Sequence, residues 1–298
     1  MFKKFLLTVF SLLVITFSIN AQNYQSKSND WDWDWDDEWW HWRGGNPLIE
    51  VNWGLGNPMH DKLISKFSPI GLAELKLGFA SFDNFEDEEI IEFEEKFSFI
   101  SWVATRLQSE KRKLDELPTE LFRFGFGRKS GYGYEFGNVK FLPFTQTSAI
   151  WSKLEMKDYP VSIFPAVSLQ SAIDDTEILK RFDGNFRFGT TTEGGISFSA
   201  GLISLNAGYE SAVIFPRYVF WKHIGSYAIE AAGLNALDHF VDEVLDASPA
   251  AAPIVNFLLK NGYNYLFYTL KKEKMNWPFN SETPLTYETF KFGVTFTF

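Results

Sequence analysis

The chain has four histidines and no cysteine, so any nucleophile, general base or metal ligand must come from a short roster. His223 and Ser226 stand three apart in a stretch of helical periodicity. A shared face there would set a hydroxyl beside a base, the arrangement that lipid hydrolysis at a membrane would require. Asp238 and Asp242 flank His239 on the same stretch, and the alternative is that all of these form the solvated side of an amphipathic helix. His41 has carboxylate neighbours but lacks the spacing of a defined metal site. The segment GRKSGYG (127–133) has the composition of a phosphate loop without the G-x-x-x-x-G-K-[ST] spacing. These residues give no assigned catalytic, cofactor or metal role, and the expectation leans away from an enzyme.

The tract DWDWDWDDEWWHW (30–42) interleaves Trp31, Trp33, Trp35, Trp39, Trp40 and Trp42 with six acidic residues. Three readings stay open. Clustered like charges suit a flexible leader. A row of indoles with carboxylates between them suits stacking on sugars, with oxygens offered to hydroxyls or to Ca²⁺. The third is a docking segment or a plug for a lumen.

Residues 1–21 carry Lys3 and Lys4, an uncharged apolar core and Ala21 before Gln22, the pattern of a secretory signal peptide; the alternative is an N-terminal membrane anchor. With no cysteine in an exported chain, disulfides and thiol chemistry are excluded. The net charge of −10 argues against a nucleic-acid partner. Aromatics reach 18%, with 32 Phe, yet the mean hydropathy is only −0.14. After residue 21 no apolar run reaches the roughly 18 residues of a transmembrane helix. A membrane-embedded form would therefore have to be a closed barrel, in which strands pair every backbone group.

From residue 47 onward, period-2 segments recur. Phe122, Phe124 and Phe126 alternate with Arg123, Gly125 and Gly127, and after RKSG the pattern resumes with Tyr132, Tyr134 and Phe136, which reads as a hairpin. The face opposite the rings is mostly Gly, Ser and Thr with an occasional Arg or Lys, as in a crowded lumen. Trp53, Trp102, Trp151, Trp221 and Trp277 near segment ends suit interfacial girdles. The long polar links 109–120 and 171–180 are expected at one end, and RKSG, KDYP and TTEGG as tight turns at the other. Between about 219 and 261, Ile224, Tyr227, Ala231, Leu234, Leu237, Val241 and Val244 recur at helical spacing, and Pro249 opens a second helix, so a helical hairpin is expected. If YNYLFYTL (263–270) is a strand the count reaches about twelve; if it continues the helix, about ten.

The last segment, FKFGVTFTF (290–298), has one wholly apolar face and ends on Phe. It resembles the C-terminal strand of Gram-negative outer-membrane β-barrel proteins, and the rest of the chain resembles that class through its alternation. The resemblance implies an antiparallel all-β transmembrane barrel, here of about 10–12 strands over 47–298, with the Trp-rich segment 22–46 before it and the hairpin 219–261 inserted. It implies location in the outer membrane, with lipid and the barrel assembly machinery as partners. Phe292, Val294, Phe296 and Phe298 would then form the assembly signal. Arg123, Arg187 and Lys291 are expected to face the lumen and tune the passage of a small or amphiphilic solute in a porin-like transport role, or else the barrel is structural. The other readings are a lipid-modifying barrel enzyme, and a secreted soluble β-rich protein binding carbohydrate or metal through the Trp tract.

Overall fold

The computed structural model describes residues 45–84, 89–108, 113, 116–160 and 169–298. The expected signal peptide, and the tract containing Trp31, Trp33, Trp35, Trp39, Trp40 and Trp42, lie outside the described residues. In chain order the strands are β1 (Asn46–Met59), β2 (Lys66–Phe67), β3 (Ile70–Asn84), β4 (Ile90–Ala104), β5 (Glu116–Leu117), β6 (Thr119–Phe136), β7 (Val139–Met156), β8 (Phe186–Ala200), β9 (Ile203–Ile214) and β10 (Leu285–Thr297). Among the described residues the α-helices are α1 (Leu169–Lys180), α2 (Phe220–Ala247) and α3 (Ala252–Glu273).

Eight of the strands close an antiparallel barrel in the order β1-β10-β9-β8-β7-β6-β4-β3, while β2 and β5 form a small parallel pair. Closure joins the first and last strands: Ile49 pairs with Phe296, Val51 with Val294 and Trp53 with Phe292. The barrel class is as expected, but it closes with eight strands rather than ten to twelve. The segment RKSG is no turn, because β6 runs unbroken through it. Arg128 points outward to Glu94 and Lys129 inward to Glu95, so charges that look like a loop each find a partner within the sheet. TTEGG likewise lies inside β8, with Glu193 facing the lumen. After KDYP the chain enters the long connection that carries α1. Residues 263–270 are helical, where the Tyr263 ring packs tilted against Phe267 one helical turn away at a ring separation of 5.2 Å.

The two ends of the barrel differ. At one, Gly137 and Gly201, with φ of 63° and 61°, turn two-residue links between β6 and β7 and between β8 and β9; the left-handed backbone there is what glycine tolerates. The connections at the other end are long, and they hold β2, β5, α1 and the α2–α3 pair.

An eight-stranded barrel encloses a space that side chains fill, and this one is filled in layers. Toward the short-turn end Ile91, Phe93, Leu142 and Phe144 pack together. Toward the long end a larger apolar cluster contains Leu72, Phe99, Leu121, Ile150, Ile214 and Tyr287, closed from above by Phe182. Charged side chains occupy the level between.

Candidate functional site

Every strand of the barrel sends a polar side chain into that middle layer. Lys291 on β10 donates to Glu74 on β3 (2.6 Å), Glu193 on β8 (2.9 Å) and Glu210 on β9 (3.1 Å). Arg123 on β6 donates through Nη1 to Glu210 (2.7 Å) and through Nε to Ser101 of β4 (2.9 Å). Lys76 contacts Glu50 of β1 (2.7 Å) and donates to Gln146 of β7 (2.8 Å), which in turn donates to Glu193. Lys129 lies 3.1 Å from Glu95 and 3.6 Å from Glu50. Asn52 donates to the same Glu50 oxygen that Lys76 contacts, and Asn206 and Thr295 donate to the other. Two ammonium groups also lie over rings, Lys76 on Phe97 and Lys129 on Phe144.

Each of these charged groups is almost wholly buried. Charge taken from water is stable only when paired and hydrogen-bonded, and the alternation of the strands achieves this. Of the residues expected in the lumen, Arg123 and Lys291 are there and belong to one network. Arg187 has the inward register at the rim, on the β8 position paired with Ser152, outside the network. The glutamates Glu50, Glu74, Glu95, Glu193 and Glu210, with Lys76 and Lys129, were missed by sequence reasoning. Their signal was a charge at every second position opposite apolar neighbours, as in LIEVNW and LAELKL.

The α2–α3 hairpin neither plugs the lumen nor caps the short-turn mouth. It leaves the long end after β9 and lies along the outer wall. Tyr134, on an outward position of β6, donates to the Ala250 carbonyl (2.7 Å). Pro143, lacking an N–H, interrupts the β6–β7 ladder between the pairs Ser130–Thr145 and Tyr134–Phe141. Asn261 of α3 covers that interruption by donating to the Phe144 carbonyl (3.2 Å). The helix can come so close because residue 194 beneath it is glycine: a Cβ there would lie 2.5 Å from Asn261 Oδ1. Between the helices, Lys271 pairs with Glu230 and Lys260 with Asp238. Neither helix is long and apolar enough to cross a membrane.

The uncovered wall has a different character. On β1, Ile49, Val51, Trp53 and Leu55 face out and are exposed, and Phe290, Phe292 and Phe296 of β10 continue the surface, with Val294 among them. Phe298 is exposed just past the end of β10. His223 and Ser226, three apart on α2, share no hydrogen bond. His223 packs among Phe188, Phe215 and Tyr218 at ring separations of 5.2–5.3 Å, and the Ser226 hydroxyl is buried without a hydrogen-bond partner among the described residues. No group of three metal-binding side chains occurs among the described residues.

At the long end, His60 helps tie the cap. Its Nδ1 accepts from the Lys62 amide (3.3 Å) and its ring meets Phe182 edge-on. Burial holds its pKa below the ordinary value, against the opposing pull of a hydrogen bond to the Thr283 main chain. The unfolded chain therefore takes up a proton before the folded one does. Stability rises with pH across the window from the lowered folded value to about 6.5, and is lost as pH falls through it. Hydrogen exchange at the Lys62 amide, corrected for its intrinsic pH dependence, should accelerate between pH 7.5 and 5. In His60→Gln the corrected rate should no longer change with pH.

No family model and no curated protein sequence matches the chain. Among solved structures, Neisserial surface protein A (NspA) aligns with a TM-score of 0.36 and 8% identity, over 85% of this chain and 97% of that one. The barrel itself is read from the strand ladders of this chain.

Proposed function

We propose that the protein is an outer-membrane barrel that conducts nothing through its lumen and serves a structural role, anchoring the helical hairpin on its wall and a folded cap at its long end. The observation that carries the reading is Lys291, which bridges carboxylates on β3, β8 and β9 across the centre of the lumen, between apolar layers on either side. A passage for solute would need that centre open. Membrane residence is supported by the exposed apolar faces of β1 and β10, which hydrocarbon can solvate and water cannot. On the same reading the long connections face the exterior, and Phe292, Val294, Phe296 and Phe298 present the apolar edge read by the assembly machinery.

The test has two arms. After cell fractionation the protein should sediment with the outer membrane and migrate differently with and without heating in mild detergent. Purified and placed in a planar bilayer, it should show no unitary conductance steps. Recovery from the soluble periplasm would overturn the location, and discrete steps would overturn the closed lumen and restore transport.

A further inference from the structure

A cavity of about 280 Å³ opens at the long end, where the link from β9 to α2, the link from α3 to β10 and the turn after β1 come together. Its lining includes Lys62, Arg217, Lys222, Met275, Asn280 and Glu282. Three cations thus surround one carboxylate, and that carboxylate is already engaged. Glu282 takes Arg217 Nε on one oxygen (2.9 Å) and Arg181 Nη1 on the other (3.3 Å). The Arg217 contact is through Nε, which leaves its terminal amino groups for another acceptor. Lys222 gives one of its three N–H groups to the Asn280 carbonyl (2.5 Å). The Lys62 ammonium has no ion pair among the described residues.

We propose that this cavity binds the phosphomonoester headgroup of an anionic membrane lipid. A tetrahedral dianion satisfies several converging N–H donors at once, and the surplus of cations supplies the charge it needs. The case for a lipid over free phosphate is the rim. Tyr218 and Phe220 flank the lining residue Val219 in the chain, Trp221 precedes Lys222 and Phe279 precedes Asn280; all four are exposed, Trp221 at 80% of its surface, and the Phe220 and Trp221 rings pack edge to face at 4.9 Å. The amphipathic rings of Tyr218 and Trp221, with the apolar rings of Phe220 and Phe279 beside them, suit the boundary between headgroups and acyl chains. A free ion would have no use for them. The inference rests on the membrane reading above.

The test uses the full-length protein in a zwitterionic detergent, titrated with phosphatidic acid, with diacylglycerol and with inorganic phosphate. Phosphatidic acid should bind at least about tenfold more tightly than either of the others. Lys62→Gln and Lys222→Gln should each weaken it by about tenfold, the scale of one charge-assisted contact, while Lys140→Gln at the opposite end of the barrel should leave it unchanged. Lys62 is exposed, so its replacement removes no buried contact and decides the matter should Lys222→Gln fail to fold. Equal affinity for diacylglycerol, or no response to Lys62→Gln, would overturn the proposal. Inorganic phosphate binding as tightly as the lipid would make this a free-anion site and overturn the lipid assignment. Because affinity is measured in detergent, a failure to bind lipid is told apart from a failure of the membrane reading, which the fractionation reports separately.

Discussion

Replacing Lys291 with methionine is expected to lower the stability of the barrel by about 3–5 kcal/mol, the usual consequence of removing one partner from a buried ion pair. The side chain is 2% exposed and holds three glutamates that come from three different strands. Methionine fills much of the same volume but leaves Glu193 with only the amide of Gln146, Glu210 with Arg123, and Glu74 with Asn52, the more distant Lys76 and a share of Arg123. Water cannot enter to compensate, because apolar side chains close the layer from both sides. The measurement is the urea midpoint for loss of the heat-modifiable form. Lys153→Met provides the comparison, since its pair with Glu155 sits at a half-exposed rim and such pairs contribute about 0–1 kcal/mol. Equal shifts for the two variants would mean that the centre of the barrel is wet. Adding Glu193→Gln to Lys291→Met should recover part of the loss, because the most poorly compensated charge is then gone.

That network also marks where sequence reasoning succeeds and where it stops. The inward placement of Arg123 and Lys291 follows from strand alternation alone, since Phe122, Phe124, Phe290 and Phe292 must then face out. The same period extends to Glu50 and Glu74, which were not singled out. Their acceptability in the interior depends on partners far along the chain, as between Glu74 and Lys291, and no local pattern reveals that. Strand number failed for a related reason. RKSG and TTEGG have the composition of turns, but in a narrow barrel polar residues with partners inside are strand residues. Glycine serves there to let rings from neighbouring strands fit, as where Gly127 lies beneath the tip of Phe97. The helical stretch 219–261 was legible from its period, and α2 and α3 do occupy it, with α3 extending to Glu273. Its place on the outer wall was not legible, because that depends on a missing Cβ at Gly194 and a missing N–H at Pro143 meeting one asparagine.

The second large effect is expected at that meeting point. Gly194→Leu should lift α3 from the wall. Even a bare Cβ would sit 2.5 Å from Asn261 Oδ1 and 2.7 Å from its Cγ, and the rest of a leucine has nowhere to go. The asparagine cannot simply swing aside, since its amide nitrogen is held by the carbonyls of Phe144 and Phe257. With no native cysteine in the chain, spin labels attached at Phe136 and Ala247 would report the separation of the barrel's short-turn end from the tip of the hairpin. In the variant that distance should lengthen and its distribution broaden, while Gly262→Leu, where an added Cβ meets nothing within 4 Å, should leave it unchanged. Combining Gly194→Leu with Asn261→Ala tests the cause as well as the outcome. The truncation removes the clashing amide, so part of the docked population should return even though the hydrogen bond to Phe144 is lost. If the helix stays in place in Gly194→Leu alone, the hairpin is held by its other contacts, chiefly Tyr134 with Ala250 and Lys272 with Glu288, and the break in the ladder at Pro143 is incidental to docking.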